Sequence, residues 1–262
     1  MRAMPESIVP KESLDWFKRK GITPGFDYRD VWKEEHSNAF TIAKMLNADL
    51  LVDVKQIVEQ AIEEGQTFEQ FRDVLKPLLV KSGWWGVQTM DDPLTGETKP
   101  VQLGSEGRLK TIYRTNMRTA RAAGQWERID RTKRALPYLL YQLGPSMEHR
   151  IDHASWKDTL LPVNDAWWDD HMPPNGWGCK CWVRQISRVE ADKLISGGKV
   201  TTSAPDGGTK QWVNKRTGEV EVLPKGIEPG WNYNPGKRRE QALNEDLLQK
   251  EQRMRQTLSG GS

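Results

Sequence analysis

Two consecutive apolar stripes at helical spacing constrain this chain more than any other feature. In "ADLLVDVKQIVEQAIEEG", Leu50, Leu51, Val54, Ile57, Val58 and Ile62 fall on one helix face, and Gly65 closes the run. In "TFEQFRDVLKPLLVKSGWWG", Phe68, Phe71, Val74, Leu75, Leu78 and Leu79 repeat the pattern. Thr67 suits an N-cap, and Gln70 stands where its side chain can return a hydrogen bond, which makes a capping box. With a short turn at Gly65–Gln66, the two stripes form an αα-hairpin. Pro77 lacks an amide hydrogen and is expected to kink or stop the second helix.

The flanking segments carry weaker signals. Residues 5–48 read as helical with breaks. Leu14 and Phe17 precede a stop at Gly21, and Val31, Ala39, Ile42, Ala43 and Leu46 continue near helical spacing. Residues 86–105 are turn-rich, with "DDPLTGE" as a surface loop or hairpin tip. The stretch from Glu106 to Arg134 reads as one long helix with Ile112, Met117, Ala120, Trp126 and Ile129 inward, weakened at Gly124. "PYLLYQLG" and "CWVRQIS" read as strands, and "RVEADKLIS" as a short helix ended by Gly197–Gly198. "QWVNKRTGEVEVLP" suits a hairpin turning at Thr217–Gly218, and "GWNYNPG" a loop. No internal repeat is evident.

The resulting class is α+β. An αα-hairpin and a long basic helix fill the N-terminal half, and the C-terminal half is mixed and loop-rich. The expected division is a helical region at 1–85, a linker at 86–105, a core at 106–198, a loop-rich region at 199–236 and a charged tail at 237–262, flexible or helical on a partner.

Composition narrows the function. Twelve tryptophans beside five Phe and five Tyr point to a core of few, large side chains rather than a ligand cage. A net charge of +3 is too small for basicity of the whole chain to drive binding, so local asymmetry matters more. Two cysteines cannot build a disulfide framework, and a bridge between Cys179 and Cys181 would be strained. Reduced thiols, no secretory apolar region at the start and no membrane-length apolar run lead us to expect a soluble cytoplasmic product.

The chemistry concentrates in "HMPPNGWGCKCWV". Of four histidines, His149, His153 and His171 lie just upstream of Cys179-x-Cys181. Two imidazoles and two thiolates satisfy tetrahedral zinc, and the preferred set is His153, His171, Cys179 and Cys181, with His149 as substitute. Two other readings stay open: a Trp-packed loop with inert buried thiols, and a Cys–His nucleophile drawing on Asp152, Asp169 or Asp170. Between Gly107 and Arg134 stand nine Lys or Arg and two acids. Arg114, Arg118 and Arg121 would line one face, either as a solvated surface or as a contact for phosphates or an acidic partner protein. No helix-turn-helix, zinc finger or phosphate loop accompanies them, which argues against sequence-specific DNA recognition.

Several stretches resemble the phage Mu protein F-like minor head proteins: "GQTFEQFRDVLKPLLVKSGWWG", "YRTNMRTARAAGQWERI", and "HASWKDTLLPVNDAWWDDHMPPNGWGCKCWV", whose end matches best. "GITPGFDYRDVWKEEHSNAFTIAK" and "GIEPGWNYNPG" resemble longer members. The positions that carry the resemblance are His153, Trp168, Pro173, Pro174, Trp177, Cys179 and Cys181; Trp156 and Lys157 depart from the small residues usual after the histidine. The resemblance implies a minor capsid protein of a tailed phage or prophage. It would work in the host cytoplasm during assembly and then in the virion, in the capsid interior or portal region. Portal and other capsid proteins, and packaged DNA, would be its partners, with no membrane, no small-molecule substrate and no catalytic residue. A Cys/His metal-dependent hydrolase or nuclease and a non-specific DNA-binding module are the competing functions.

Overall fold

The computed structural model describes residues 10–31 and 35–237, so the charged tail expected from 237 onward lies almost wholly outside the described residues. The chain opens with α1 (Lys11–Lys18), followed by β1 (Gly21–Ile22), α2 (Glu35–Asn38) and β2 (Ala39–Phe40), with β1 parallel to β2. The helix expected to continue towards Leu46 does not form. Asp30 is one cause: its carboxylate accepts the amide hydrogens of Phe26 and Asp27, which holds the backbone in a turn. Val31, Phe40, Ile42 and Met45 are buried from largely irregular backbone, and Leu46 is exposed.

The αα-hairpin follows as expected, in α3 (Ala48–Glu63) and α4 (Phe68–Lys81). Asn47 caps α3 by accepting from Leu50 N–H. The capping box forms: Gln70 N–H donates to Thr67 Oγ1 at 3.3 Å, and Thr67 N–H donates to Gln70 Oε1 at 2.8 Å. Gly65 takes a φ of 64°, and Gln66 N–H donates back to Ala61 O at 3.0 Å, reversing the chain. Pro77 does not stop α4. Leu75 and Leu79 are fully buried, and their packing carries the helix past the missing hydrogen bond.

β3 (Val87–Asp91) and β4 (Thr98–Gln102) make an antiparallel hairpin around "DPLTGE". α5 (Glu106–Thr132) then runs for about 40 Å. It joins two cores. Leu109, Ile112, Met117, Ala120 and Ala123 pack with the αα-hairpin and the N-terminal segment. Trp126 and Ile129 pack into a second, tryptophan-rich cluster. Gly124 has a positive purpose here. A Cβ at this position would lie 2.3 Å from Ser13 Oγ and 2.7 Å from Ser13 N, so glycine permits the close crossing of α1 over α5.

The second half contains β5 (Tyr138–Gln142), α6 (Ile151–Ser155), β6 (Leu160–Pro162), α7 (Trp167–His171), β7 (Trp182–Ile186), α8 (Arg188–Ser196), β8 (Thr209–Val213) and β9 (Val220–Pro224). β5 lies between β6 and β7, antiparallel to both, with Leu140 opposite Leu160 and Gln142 opposite Trp182. Leu139 and Tyr141 face the tryptophan cluster, whereas Leu140 packs with Ile186 and with Ala191 of α8. Burial on both faces explains the unbroken apolar run "YLLY", since successive side chains point to opposite sides.

Two pairs of segments repeat, contrary to the expectation of none. "GITPGFDY" (21–28) returns as "GIEPGWNY" (226–233), and "DPLTGE" (92–97) as "NKRTGE" (214–219). The two hairpin turns share their hydrogen bonds. Gly96 N–H donates to Asp92 O and Gly218 N–H to Asn214 O, both at 2.7 Å. The turns also touch. Arg216 donates to Asp92 Oδ2 at 2.7 Å and pairs with Asp30, which joins both hairpin tips to the N-terminal loop.

Candidate metal centre

α6 and the segment before β7 converge on one buried cluster. His153, in α6, and Cys179 are 2% and 4% exposed, and Cys181 is half-buried. His153 Nδ1 lies 3.8 Å from Cys179 Sγ and 3.6 Å from Cys181 Sγ. The three ligand atoms all fall within 4.8 Å of one another. On its other side, His153 Nε2–H donates to Gly226 O at 2.9 Å. A carbonyl oxygen can only accept, so Nε2 carries a proton, and the ring turns its Nδ1 towards the two sulfurs.

The surroundings hold this geometry. Gly226 has a φ of 86°, and a Cβ there would lie 2.6 Å from both Asp152 and Trp156, so only glycine brings its carbonyl to the imidazole. Trp156 stacks on His153 with centroids 4.8 Å apart. Glu228 accepts from Trp177 N–H at 2.7 Å and pairs with Arg150, which clasps the loop before the cysteines. Asn175, fully buried, accepts from the Tyr141 hydroxyl at 3.1 Å. Arg118 donates to Cys179 O at 2.5 Å. The two thiols differ. A hydrogen bond from Cys179 lowers the pKa of Cys181 to about 6, while donating that bond, together with burial, pushes Cys179 up to about 12.

The structure thus brings together three of the residues singled out from sequence, and others lie apart. His171 is buried, but its Nδ1–H donates to Trp167 O at 3.0 Å and its ring stacks on Trp167 at 4.2 Å. Burial lowers its pKa to about 4. Trp156 packs against both His153 and His171, and neither His171 nor His149 joins the ligand group among the described residues. Trp168 is fully buried, with Nε1–H donating to Pro162 O at 3.0 Å. Pro173 and Pro174, buried and joined by a cis peptide bond, shape the loop. Trp177 is partly exposed, against Tyr28 and Trp231.

The basic helix changes meaning. Arg108 donates to the carbonyls of Ala43, Gln102 and Leu103; Arg118 reaches Cys179; Arg128 and Arg131 pair with Glu12; Lys133 pairs with Asp130. Five of the nine cations therefore bond to other groups of the chain, Arg131 from an exposed position, while Arg114 and Arg121 are exposed as well. Arg118, Arg121 and Lys180 line a cavity of about 290 Å³ together with Cys179 and Cys181. A second cavity, of about 200 Å³, lies between the two repeated loops, where Tyr28 and Trp231 meet Lys20 and His36. Burial lowers Lys20 to about 7 and His36 to about 4. Lys20 donates to His36 O, and its Nζ lies 4.3 Å from the Trp16 ring centroid.

The family described as Phage Mu protein F like protein matches residues 52–184, from the αα-hairpin through His153 to just past Cys181. The chain is 35% identical over 243 residues to the putative capsid assembly protein F of Escherichia phage Mu, covering 87% of this chain and 54% of that protein. This chain belongs to the phage Mu protein F-like family. It is also 31% identical to the Mu-like prophage FluMu F protein of Haemophilus influenzae, over 78% of this chain and 52% of that one. The chain therefore spans about half the length of these relatives. No solved structure matches it. The family match contains all three clustered residues, whereas Gly226 and Glu228, which brace their surroundings, lie beyond it. Among the described residues, no helix is long and apolar enough to cross a membrane.

Proposed function

We propose that this chain acts in head morphogenesis of a tailed phage or prophage. It is a minor capsid component that assembles in the host cytoplasm and stays in the virion, in contact with other capsid proteins and the portal. The observation that carries this reading is the 35% identity, over 87% of the chain, to a protein named a putative capsid assembly protein. The surface agrees with a partner-bound life. The β8–β9 hairpin presents Val213, Val220 and Val222, and the β3–β4 hairpin presents Val87, all exposed on two-stranded sheets whose outer edges could receive another protein. The test is deletion and complementation in a phage that carries the gene. Loss of filled heads, restored by the full chain, together with recovery of the chain in purified virions and with portal protein, is the expected outcome. Normal heads from the deletion would overturn the reading.

DNA contact during packaging or ejection is a second role for the same protein. Arg114 and Arg121, exposed and two turns apart on α5, favour it. Binding to duplex DNA should then weaken steeply with salt and disappear on charge reversal at these two positions. Retained binding after reversal would remove the helix from the DNA surface.

A further inference from the structure

We propose that His153 Nδ1, Cys179 Sγ and Cys181 Sγ bind one zinc ion, with water as the fourth ligand. The proposal goes beyond the morphogenesis reading and does not depend on it. Four observations support it. The first is spacing. Zn–S bonds of about 2.3 Å and Zn–N bonds of about 2.0–2.1 Å at tetrahedral angles put nitrogen and sulfur about 3.6 Å apart. The observed separations are 3.6 and 3.8 Å.

The second is orientation. Metal-bound imidazoles usually donate their other N–H to a carbonyl or carboxylate, which fixes the ligating lone pair. Here Gly226 O takes that role for His153, through a glycine backbone that no other residue could adopt in the space available.

The third is the donor set. Two thiols and one imidazole, largely buried and without a disulfide, are soft-to-borderline donors that favour zinc over magnesium or calcium. Both sulfurs coordinate as thiolates, any thiol proton still held passes to solvent, and the two thiolates balance the charge of the ion.

The fourth is access. Both cysteines line the cavity that holds Arg118, Arg121 and Lys180, so solvent can supply the remaining ligand. No further His, Cys or carboxylate joins the group among the described residues.

The ion would tie together α6, the loop before β7 and, through His153, the "GIEPG" segment. These are parts of the chain that lack long secondary structure of their own.

The test uses the full chain purified without added chelator. Elemental analysis should give about one zinc per chain. His153→Ala, Cys179→Ser and Cys181→Ser should each lose it, whereas His171→Asn and His149→Asn should keep it. Cobalt in place of zinc should show sulfur-to-metal charge-transfer absorption. Should the ligand variants fail to fold, the wild-type protein still decides. Zinc should slow alkylation of the two cysteines and a chelator should restore it. A protein that stays metal-free after refolding with zinc, with thiol reactivity indifferent to the ion, would overturn the proposal. Loss of zinc from His171→Asn while His153→Ala keeps it would overturn the ligand set. Either failure leaves the head-morphogenesis reading intact, because that rests on phage assembly and not on metal content.

Discussion

The two cores at either end of α5 are built on different principles. The N-terminal core is held by Leu51, Val54, Val58, Leu75 and Leu79, buried side chains that recur along regular helices. The C-terminal core is held by Trp126, Trp156, Trp167 and Trp168, gathered from α5, short helices and loops. In the first, local periodicity already sorts inside from outside. In the second, large aromatic rings and the His153–Cys179–Cys181 cluster must hold segments together that have little regular structure. Damage to the first should therefore act mainly on stability, and damage to the second on geometry as well.

The largest test of that contrast pairs Trp156→Ala with Leu75→Ala. Removing the indole should cost about 3–5 kcal/mol and removing the leucine about 2–5 kcal/mol, measured by urea denaturation. Only the tryptophan variant should also raise cysteine alkylation rates under native conditions, because Trp156 stacks on His153. Equal thiol exposure in both variants would mean the cores are not separable.

Gly226→Ala comes next, at about 1–3 kcal/mol for a side chain forced into a left-handed conformation. It should also disturb the His153 contact, which would appear as altered cysteine reactivity. The ion-pair junction of the two hairpin tips should respond to acid. Arg216 holds the Asp92 carboxyl well below the ordinary carboxylate range, so the pair contributes stability at neutral pH and loses it only in strong acid, as Asp92 is protonated. Arg216→Met should lower the melting temperature at pH 7 and leave a shallower loss of stability on acidification. An unchanged acid profile would detach the two tips from each other.

Substitution at Lys20 should have the opposite effect to Arg216→Met, although here too stability rises with pH. Burial lowers its pKa to about 7 from an ordinary 10.5. Above pH 7 the folded protein sheds this proton while the unfolded chain still holds it, so stability rises with pH across that window. Lys20→Met should raise stability near pH 7 by on the order of 1–2 kcal/mol and flatten the rise. The smallest effect belongs to the helical half: Thr67→Ala should cost about 1 kcal/mol through the lost cap.

The repeated segments show where reading from sequence reaches its limit. The two "TGE" turns adopt the same hydrogen bonds, because Asp92 or Asn214, then Thr and Gly, supply the turn within a few residues. The two "PG" loops do not match. Gly21–Ile22 joins a parallel strand pair, whereas Gly226 turns at positive φ to reach His153. α6, β6 and α7 escaped the sequence reading because three to five residues are too few to show a period. Arg118 was legible as a charge and not as a brace, since its acceptor lies 61 residues away.

By itself the sequence determined the αα-hairpin, α5, the hairpin turns and the stretch of chain from which the His/Cys cluster is drawn. Each depends on neighbours within a few positions, where spacing, caps and turn residues act directly. Tertiary structure alone decided which histidine faces the thiols, which cations remain at the surface, and why Gly124 and Gly226 must be glycine. Those outcomes depend on contacts between distant segments, where packing and desolvation outweigh local preference.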